Sequence, residues 1–442
     1  MKKLIGLFIF VMCSIYGNGQ PVLPLREQSK WVDEILSERI DKLLPQLMKR
    51  EGIDCWVLIS REYNEDPVLK TLLPAEWLSA RRRTMLLFYL NPQTGKIEKH
   101  AIARYAVGKS IPASWDMQQY PDQWVALVQL ITSKKPKKIG INYSHDFAHA
   151  DGITYTEYNL LNKYLPDSLQ KRVVSAEPLA VAWLETRTER ELEVYPTLIQ
   201  LTHQIIQEGF SEKVITPGIT TTDDLVWWFR QRIQDAGLDT WFHPSVSIQR
   251  SDSVSFDHLK AFSDRPREDI IRSGDLIHVD IGISYLRLQT DIQEHAYLLL
   301  PGEKQAPTSL QQAFSKANRL QDILTQQFQL QLSGNEILKR ALAQATNEKI
   351  AATIYTHPIG FHGHAAGPTI GLWDQQKGVP GSGDFPLHEN TAFSIELNAA
   401  SYIPEWKKEI RIMLEQDGVF TNKGFRYING RQTNLWLIPR QQ

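Results

Sequence analysis

Two aspartates eleven residues apart, Asp280 and Asp291, are the first side chains in this sequence that could do chemistry. Each lies in a strand-like segment, and a turn near residues 282–288 would bring the two carboxylates side by side. Carboxylates held close together repel unless a proton or a cation lies between them, and hard divalent cations prefer oxygen ligands. The pair therefore indicates either a metal site or two solvated strand aspartates.

A histidine-rich segment follows further along the chain. Three of the twelve histidines, His357, His362 and His364, fall within eight residues, with glycines between them. Neutral imidazole is the commonest metal ligand near neutral pH, and glycine lets a backbone pass close to a site. The segment predicts a ligand loop, and the alternative is a surface loop that is rich in histidine by chance.

Two glutamates each stand in an otherwise apolar strand. Glu396 lies within residues 393–397, and Glu415 ends the run 410–415. A buried, unpaired carboxylate is costly, so each needs a proton, an ion-pair partner or a metal. Arg411 lies on the same strand face as Glu415 and offers an ion pair there. No cation lies near Glu396 in the sequence, so the metal interpretation is stronger for that residue.

In the order of these acidic residues and histidines, the chain resembles the family of creatinase, aminopeptidase P and prolidase, which has the pita-bread fold. The resemblance also rests on residues 185–189 and 217–220, which precede two helices, on the glycine-flanked histidine in 363–367, and on 415–421. It implies two divalent ions, most commonly manganese, with zinc and cobalt as alternatives. The implied metal ligands are Asp280, Asp291, His364, Glu396 and Glu415.

The sequence departs from the family pattern around its histidines. His362 competes with His364 for the ligand role, and Gly371 stands where relatives tend to have a histidine that contacts the substrate. That role would move to His362 or His357. His258 lies upstream of the first aspartate by about the distance of the family's upstream active-site histidine.

The resemblance also implies a reaction. Two metal ions would lower the pKa of a shared water, so that a bridging hydroxide attacks a scissile carbonyl. Glu396 would be both ligand and proton shuttle, and His258, His357 and His362 would contact the tetrahedral intermediate or the leaving group. Relatives with a comparable N-terminal domain are mostly proline-directed, which implies an aminopeptidase that hydrolyses the N-terminal Xaa-Pro bond. The alternatives are a prolidase-type dipeptidase, a creatinase-like hydrolase and a catalytically silent peptide-binding protein on the same fold.

The helices and strands that must position these residues are predicted to form two domains, which follow a leader peptide. Strands alternate with helices over roughly residues 30–180, which is typical of an α/β domain. After residue 241, strands and loops are interrupted by two helices, which is an α+β pattern. The charged stretch 185–191 marks the boundary. We therefore predict a signal peptide at 1–19, a creatinase-type N-terminal α/β domain at 20–185 and a pita-bread catalytic domain at 186–442.

The leader predicts export to the periplasm or to the medium. Lys2 and Lys3 precede an apolar run at 4–15, and Gly17 and Gly19 occupy the small-residue positions before a cleavage point. The apolar run is too short to span a bilayer comfortably, so we expect no membrane partner once the leader is removed.

Composition narrows the expected partners. The net charge of -1 does not favour nucleic acid as a partner, and the family resemblance implies a peptide substrate. Cys55 would be the sole cysteine after cleavage, and its apolar surroundings predict a buried strand thiol. Relatives often pair through the N-terminal domain, so the resemblance implies a possible homodimer.

Overall fold

The computed structural model describes residues 22–253 and 269–440. The predicted signal peptide at 1–19 and His258 lie outside the described residues. Among the helices of the described ranges, none combines the length and the hydropathy that a transmembrane segment needs.

The described chain begins with a long helical segment, whose apolar residues recur at helical spacing over 32–48. It consists of α1 (Leu25–Glu38), a π-helical turn (Arg39–Leu43) and α2 (Leu44–Glu51). Gly52 ends α2 at a φ of 65°, a left-handed conformation that a residue without Cβ adopts without strain.

The N-terminal half continues as a mixed sheet with helices between its strands. Its elements are β1 (Cys55–Arg61), α3 (Pro67–Thr71), β2 (Arg83–Leu90), β3 (Ile97–Ile102), α4 (Gln123–Lys134), β4 (Ile139–Ile141), α5 (Tyr155–Tyr164), α6 (Asp167–Gln170), β5 (Val173–Ser175) and α7 (Glu177–Glu185). The strand order is β3-β2-β1-β4-β5, antiparallel from β1 to β3 and parallel from β1 to β5. Cys55 is fully buried in the central strand, as the sequence predicts.

The second half begins with two capped helices, α8 (Glu189–Gly209) and α9 (Thr222–Asp235). Thr188 and Thr221 are their N-caps, and each forms a capping box in which side chain and backbone satisfy each other's hydrogen bonds. Helix α7 ends and α8 begins on either side of the predicted boundary at 185–186, and the domain limits stay a prediction.

The rest of the chain is rich in antiparallel strands. Its elements are β6 (Ser245–Gln249), β7 (Leu276–Ile281), β8 (Ser284–Tyr285), β9 (Leu288–Gln289), β10 (Ile292–Leu298), α10 (Thr308–Gln326), α11 (Gly334–Asn347), β11 (Ala351–Ile354), β12 (His357–Pro358), β13 (Thr391–Ser394), β14 (Leu397–Ile403), β15 (Lys408–Leu414), β16 (Asp417–Thr421), β17 (Gly424–Tyr427) and β18 (Trp436–Ile438). The larger sheets have the orders β18-β10-β7-β6, β11-β14-β15 and β12-β13-β16-β17. The predicted α+β class of this half is confirmed.

Two apolar cores hold the strands of this half. One contains Leu198 of α8, Phe229 of α9 and Val279 of β7. The other contains Leu320 of α10 and Leu414 of β15. The cores fix the backbones of β7 and β10 on one side and of β14 and β15 on the other, and the acidic side chains of interest lie in or directly beside these strands.

A buried arginine joins the two halves of the chain beside the histidine loop. Arg39, in the π-helical turn, donates from Nη1 to Glu191 Oε2 at 2.7 Å. Arg187 donates to the other oxygen of Glu191 at 3.2 Å. The ring of Phe361 lies 4.8 Å from the guanidinium carbons of both arginines. Phe361 belongs to the loop that follows His357. The cluster contains residues of both halves and therefore anchors this loop.

The buried cap Asp66 should make the stability of the N-terminal half depend on pH. Its carboxylate accepts the N–H groups of Val68 and Leu69 at the start of α3, and burial raises its pKa from 3.8 to about 6. A raised folded pKa means that the stabilising contribution is complete below about pH 4 and is lost as the pH rises through about 6. The unfolding free energy of the wild type minus that of Asp66→Asn should fall by about 3 kcal/mol from pH 4 to pH 8 in urea titrations.

A second capping aspartate supplies the control. Asp122 caps α4 and is largely exposed. Burial raises its pKa, but the hydrogen bonds from Tyr164 and from the α4 backbone together lower it overall. The unfolding free energy of the wild type minus that of Asp122→Asn should therefore rise with pH. If the corresponding difference between the wild type and Asp66→Asn stayed constant or rose with pH, the raised pKa of Asp66 would be contradicted.

Candidate metal centre

Strands β7 and β10 bring the two aspartates together. They pair antiparallel with Asp280 opposite Gln293, so Asp291, which directly precedes β10, lies diagonal to Asp280. One carboxylate oxygen from each aspartate and one from Glu415 lie within 4.8 Å of one another. The hairpin that the sequence predicts therefore exists, with a diagonal rather than a direct pairing of the two aspartates.

The two glutamates lie at adjacent strand ends. Glu396 directly precedes β14 and Glu415 directly follows β15, and the neighbouring residues Leu397 and Leu414 are paired. Both carboxylates are buried, at 3% and 1% exposure. Arg411, which the sequence offers as an ion-pair partner for Glu415, donates instead to Asn398 Oδ1 at 2.7 Å. Glu415 is therefore available to the acidic cluster.

The cluster strongly favours protons or a cation. Burial, and then the charge of Glu415, raise the pKa of Asp280, Asp291 and Glu396 well above the ordinary carboxylic range. Asp417, a fifth carboxylate of the cluster, is buried and has its pKa raised by the same two causes. So many carboxylates in a site of low solvent access cannot all be ionised unless positive charge lies between them.

His357 points its Nε2 at these carboxylates. Its Nε2 lies 3.5 Å from Glu415 Oε1 and 3.8 Å from Asp291 Oδ2. Its Nδ1 lies 3.0 Å from the carbonyl oxygen of Pro358, which can only accept, so Nδ1 carries the hydrogen and Nε2 of the neutral ring does not. Among the described residues, neither Nε2 nor Asp280 Oδ1 has a hydrogen-bond partner, and both atoms are buried. A cation would satisfy both atoms, so these residues fit a metal.

His364 lies beside His357 but further out. One ligand atom of each lies within 4.8 Å of one on Asp291, yet His364 is exposed whereas His357 is 3% exposed. His357, and not His364, also forms a ligand group with Glu396 and Glu415. The geometry therefore favours His357 as the imidazole ligand, which exchanges the roles that the resemblance implies for the two histidines.

The glycine that suggested His364 as the ligand has a different cause in the structure. A Cβ on Gly363 would lie 2.1 Å from the ring of Trp241, so the glycine is needed for close packing against that ring. Flanking glycines therefore do not identify the ligand among neighbouring histidines.

The remaining predicted histidines lie elsewhere. The ring of His362 packs against His149 of the N-terminal half, with ring centres 4.2 Å apart, and within the described ranges it joins none of the ligand groups. Burial, followed by the nearby charge of His149, lowers the pKa of His362 to about 3. His258 is outside the described residues, so its predicted role stays a prediction.

Two residues of the centre are not among those predicted from the sequence. Gln293 donates to both glutamates, and Asp417 Oδ2 accepts the backbone N–H of Asp291 at 3.2 Å. Asp417 could have been found from the sequence, because it is a further carboxylate in an apolar strand. A glutamine carries no comparable signal, since its amide is neutral and suits many environments.

The sequence model of metallopeptidase family M24 matches residues 197–422, just over half of the 442 residues. The chain belongs to metallopeptidase family M24. The matched range contains all five carboxylates and both histidines of the centre, and the predicted enzyme class, a hydrolase acting on peptides, is confirmed. A comparison with curated proteins found no match.

Solved structures share the fold of this M24 metallopeptidase. The X-Pro aminopeptidase from Thermotoga maritima is 15% identical, with a TM-score of 0.62 over 89% of this chain and 99% of that one. The Xaa-Pro dipeptidase from Bacillus anthracis is 15% identical, with a TM-score of 0.57 over 94% and 100%. The N-terminal domain of FACT complex subunit SPT16 from Cicer arietinum is 12% identical, with a TM-score of 0.54 over 93% and 97%. These likenesses confirm the pita-bread domain preceded by a smaller domain.

Substitution of the two neighbouring histidines should separate their roles in the M24 metallopeptidase. His357→Gln should weaken Mn²⁺ affinity by more than about 100-fold, because loss of a ligand costs more than loss of a residue that supports one. His364→Gln should change the affinity by less than about tenfold and lower kcat, because its ring is close to the centre without holding a cation. Calorimetric Mn²⁺ titration and peptide hydrolysis measure the two effects, and the reverse pattern would return the ligand role to His364.

Proposed function

We propose that this M24 metallopeptidase is an exported aminopeptidase that hydrolyses the bond between an N-terminal residue and a following proline. The observation that carries the proposal is a buried group of carboxylates around His357, next to a half-buried aromatic surface. The first feature suits metal-assisted hydrolysis, and the second suits an apolar, ring-shaped residue of the substrate.

Five residues would hold the metal ions in this proposal: Asp280, Asp291, His357, Glu396 and Glu415. We propose two divalent ions, because the ligand atoms form three overlapping groups of three. Four carboxylates and one imidazole form an oxygen-rich donor set, which favours manganese over zinc or cobalt. When bound, such ions lower the pKa of a water molecule and polarise a carbonyl.

Glu396 is the residue that we propose moves the proton. Its Oε1 accepts from Gln293, whereas Oε2 lies 3.9 Å from His357 Nε2, toward the other carboxylates. Oε2, which is not the oxygen that Gln293 holds, would take a proton from water and return it to the leaving amine. His364 is exposed beside the centre and would contact the leaving group; similar roles for His258 and His362 remain proposals.

Aromatic rings around His364 support a proline-directed substrate. The rings of Trp241 and Tyr355 have their centres 5.2 and 5.8 Å from that of His364, and Trp373 packs against Tyr355 at 5.7 Å. All three residues are half-buried. A proline ring is apolar and flat enough to pack on such a surface. The names of the Thermotoga and Bacillus proteins agree with this substrate by analogy.

Export and self-association are also parts of the proposal. Residues 1–19 have the charge and apolar pattern of a cleaved leader, which supports a periplasmic or secreted location. A homodimer is proposed from the family resemblance. N-terminal sequencing of the exported protein and light scattering test these two points separately from catalysis.

A peptide panel tests the proposed reaction. The full-length protein, stripped of metal and reloaded with Mn²⁺, Zn²⁺ or Co²⁺, would be given Ala-Pro, Ala-Pro-Ala, a longer Ala-Pro peptide and Ala-Ala-Ala. We expect release of alanine from the tripeptide and the longer peptide, fastest with Mn²⁺. Cleavage of Ala-Pro alone would favour the dipeptidase alternative. Cleavage of Ala-Ala-Ala at the same rate, or of no peptide with any ion, would contradict the proposal.

A further inference from the structure

Gln293 lies in the middle of the acidic cluster. It is 1% exposed on β10, two residues after Asp291. Its Nε2 donates to Glu396 Oε1 at 2.6 Å and to Glu415 Oε2 at 2.7 Å. An amide nitrogen has two hydrogens, so both are directed at carboxylates that we assign to the metal centre.

His278 sets the orientation of this amide. The Nε2 of His278 lies 2.9 Å from Gln293 Oε1, and an amide oxygen only accepts, so the imidazole donates. The ring's Nδ1 lies 3.4 Å from the hydroxyl of Ser247. The reversed amide would place its oxygen against two carboxylates and its nitrogen against a ring N–H, which is electrostatically unfavourable. The chain of contacts therefore permits one orientation.

The two oxygens of Glu415 are both held. Oε2 accepts from Gln293, and Oε1 accepts from Ser394 Oγ at 2.7 Å. Each carboxylate oxygen has two lone pairs, so one on each remains for a cation. The donors fix the rotation of the carboxylate without using up its capacity to bind metal.

We propose that Gln293 is a positioning residue of the metal centre, which holds Glu396 and Glu415 in one relative orientation and is itself oriented by His278. The proposal rests on the metal centre of the proposed function. Hydrogen-bonded supports of metal ligands typically change metal affinity or activity by about 10–100-fold when they are removed.

Another buried glutamine shows what a purely structural role looks like. Gln432 is 5% exposed, and its amide bonds to the backbone of His295, which lies in β10 as Gln293 does. Oε1 accepts from His295 N at 2.9 Å, and Nε2 donates to His295 O at 2.7 Å. The side-chain amide of Gln293 instead bonds to the side chains of His278, Glu396 and Glu415. Gln432→Met is therefore a matched control for the loss of a buried amide.

The test is Mn²⁺ titration by calorimetry together with the visible absorption of the Co²⁺-loaded full-length protein, which reports ligand geometry. Gln293→Met should bind Mn²⁺ about 10–100-fold more weakly and give a changed Co²⁺ spectrum. Gln432→Met should match the wild type in both measurements. Wild-type affinity and an unchanged spectrum for Gln293→Met would overturn the proposal, whereas failure of the wild type to bind any cation would overturn the proposed function as well.

Variants of His278 keep the test valid if Gln293→Met does not fold. His278→Leu removes the donor to the amide and should weaken Mn²⁺ binding in the same direction, by a smaller factor. His278→Gln can still donate an N–H to Gln293 Oε1 and should retain most of the wild-type affinity. Equal affinities for the leucine and glutamine variants would count against an orienting role.

Discussion

Replacing Glu396 with glutamine should lower kcat for an Ala-Pro peptide by about 10²–10⁴-fold, the usual contribution of a group that transfers a proton. The substitution keeps the shape of the side chain and removes its ability to take up and release a proton. It also removes a negative charge from the centre, so weaker metal binding accompanies it. Steady-state hydrolysis at saturating Mn²⁺ separates the loss of kcat from the loss of metal affinity.

Glu409→Gln is the matched control for this variant. Glu409 lies in β15 of the same sheet but is exposed, and the chemical change is identical. It should hydrolyse the peptide at the wild-type rate. If Glu396→Gln at saturating metal were as active as Glu409→Gln, Glu396 would not be the proton shuttle.

Removal of divalent ions should abolish hydrolysis and lower the melting temperature. A bound ion offsets the repulsion among five carboxylates around the centre. Four of them are buried and Asp280 is half-buried; the buried ones are Asp291, Glu396, Glu415 and Asp417. One ion at a concentration 100 times its Kd stabilises the folded state by about 2.7 kcal/mol. For a domain of about 150–250 residues, this free energy corresponds to a rise in Tm of about 5–10 °C. Calorimetry with Mn²⁺ and with chelator measures the rise.

The difference in melting temperature between the Mn²⁺-loaded and the stripped protein should grow with pH. In the stripped protein, burial raises the pKa of Asp280, Asp291 and Glu396, so the folded state retains protons that the unfolded state loses above about pH 4. The stability of the stripped protein therefore falls as the pH rises above about 4. A bound cation keeps the carboxylates ionised and removes this loss. Equal melting temperatures with Mn²⁺ and with chelator at pH 8 would contradict this explanation.

A variant that lacks two ligands provides the control. Asp280→Asn with Asp291→Asn removes two of the buried charges, so the protein should have a chelator-insensitive Tm and a weaker pH dependence. If its Tm still rose with Mn²⁺ as much as that of the wild type, the stabilising ion would lie elsewhere.

The acidic part of the centre could be predicted because strand geometry links sequence spacing to position. The segments around Asp280 and Asp291 read as two strands with a short turn between them, and β7 and β10 pair as such a hairpin. Glu396 and Glu415 each stood out as a carboxylate in an apolar strand. Hydrophobic periodicity and the cost of a buried charge are local properties that a sequence displays directly.

The choice among the histidines could not be made in the same way. His357, His362 and His364 share one loop, and their directions depend on contacts distant in sequence. Phe361 is anchored by Arg39 of the N-terminal half, and Gly363 accommodates Trp241. Such long-range packing has no local signature, and neither does the use of a neutral glutamine such as Gln293 to orient ligands.

The most direct test of the central claim is anomalous X-ray diffraction from crystals of the full-length protein grown with Mn²⁺, recorded on both sides of the manganese absorption edge. We expect two anomalous peaks, both enclosed by Asp280, Asp291, Glu396 and Glu415, with His357 Nε2 at coordination distance from one of them. No peak among these side chains, or peaks only at other surfaces of the molecule, would contradict the claim.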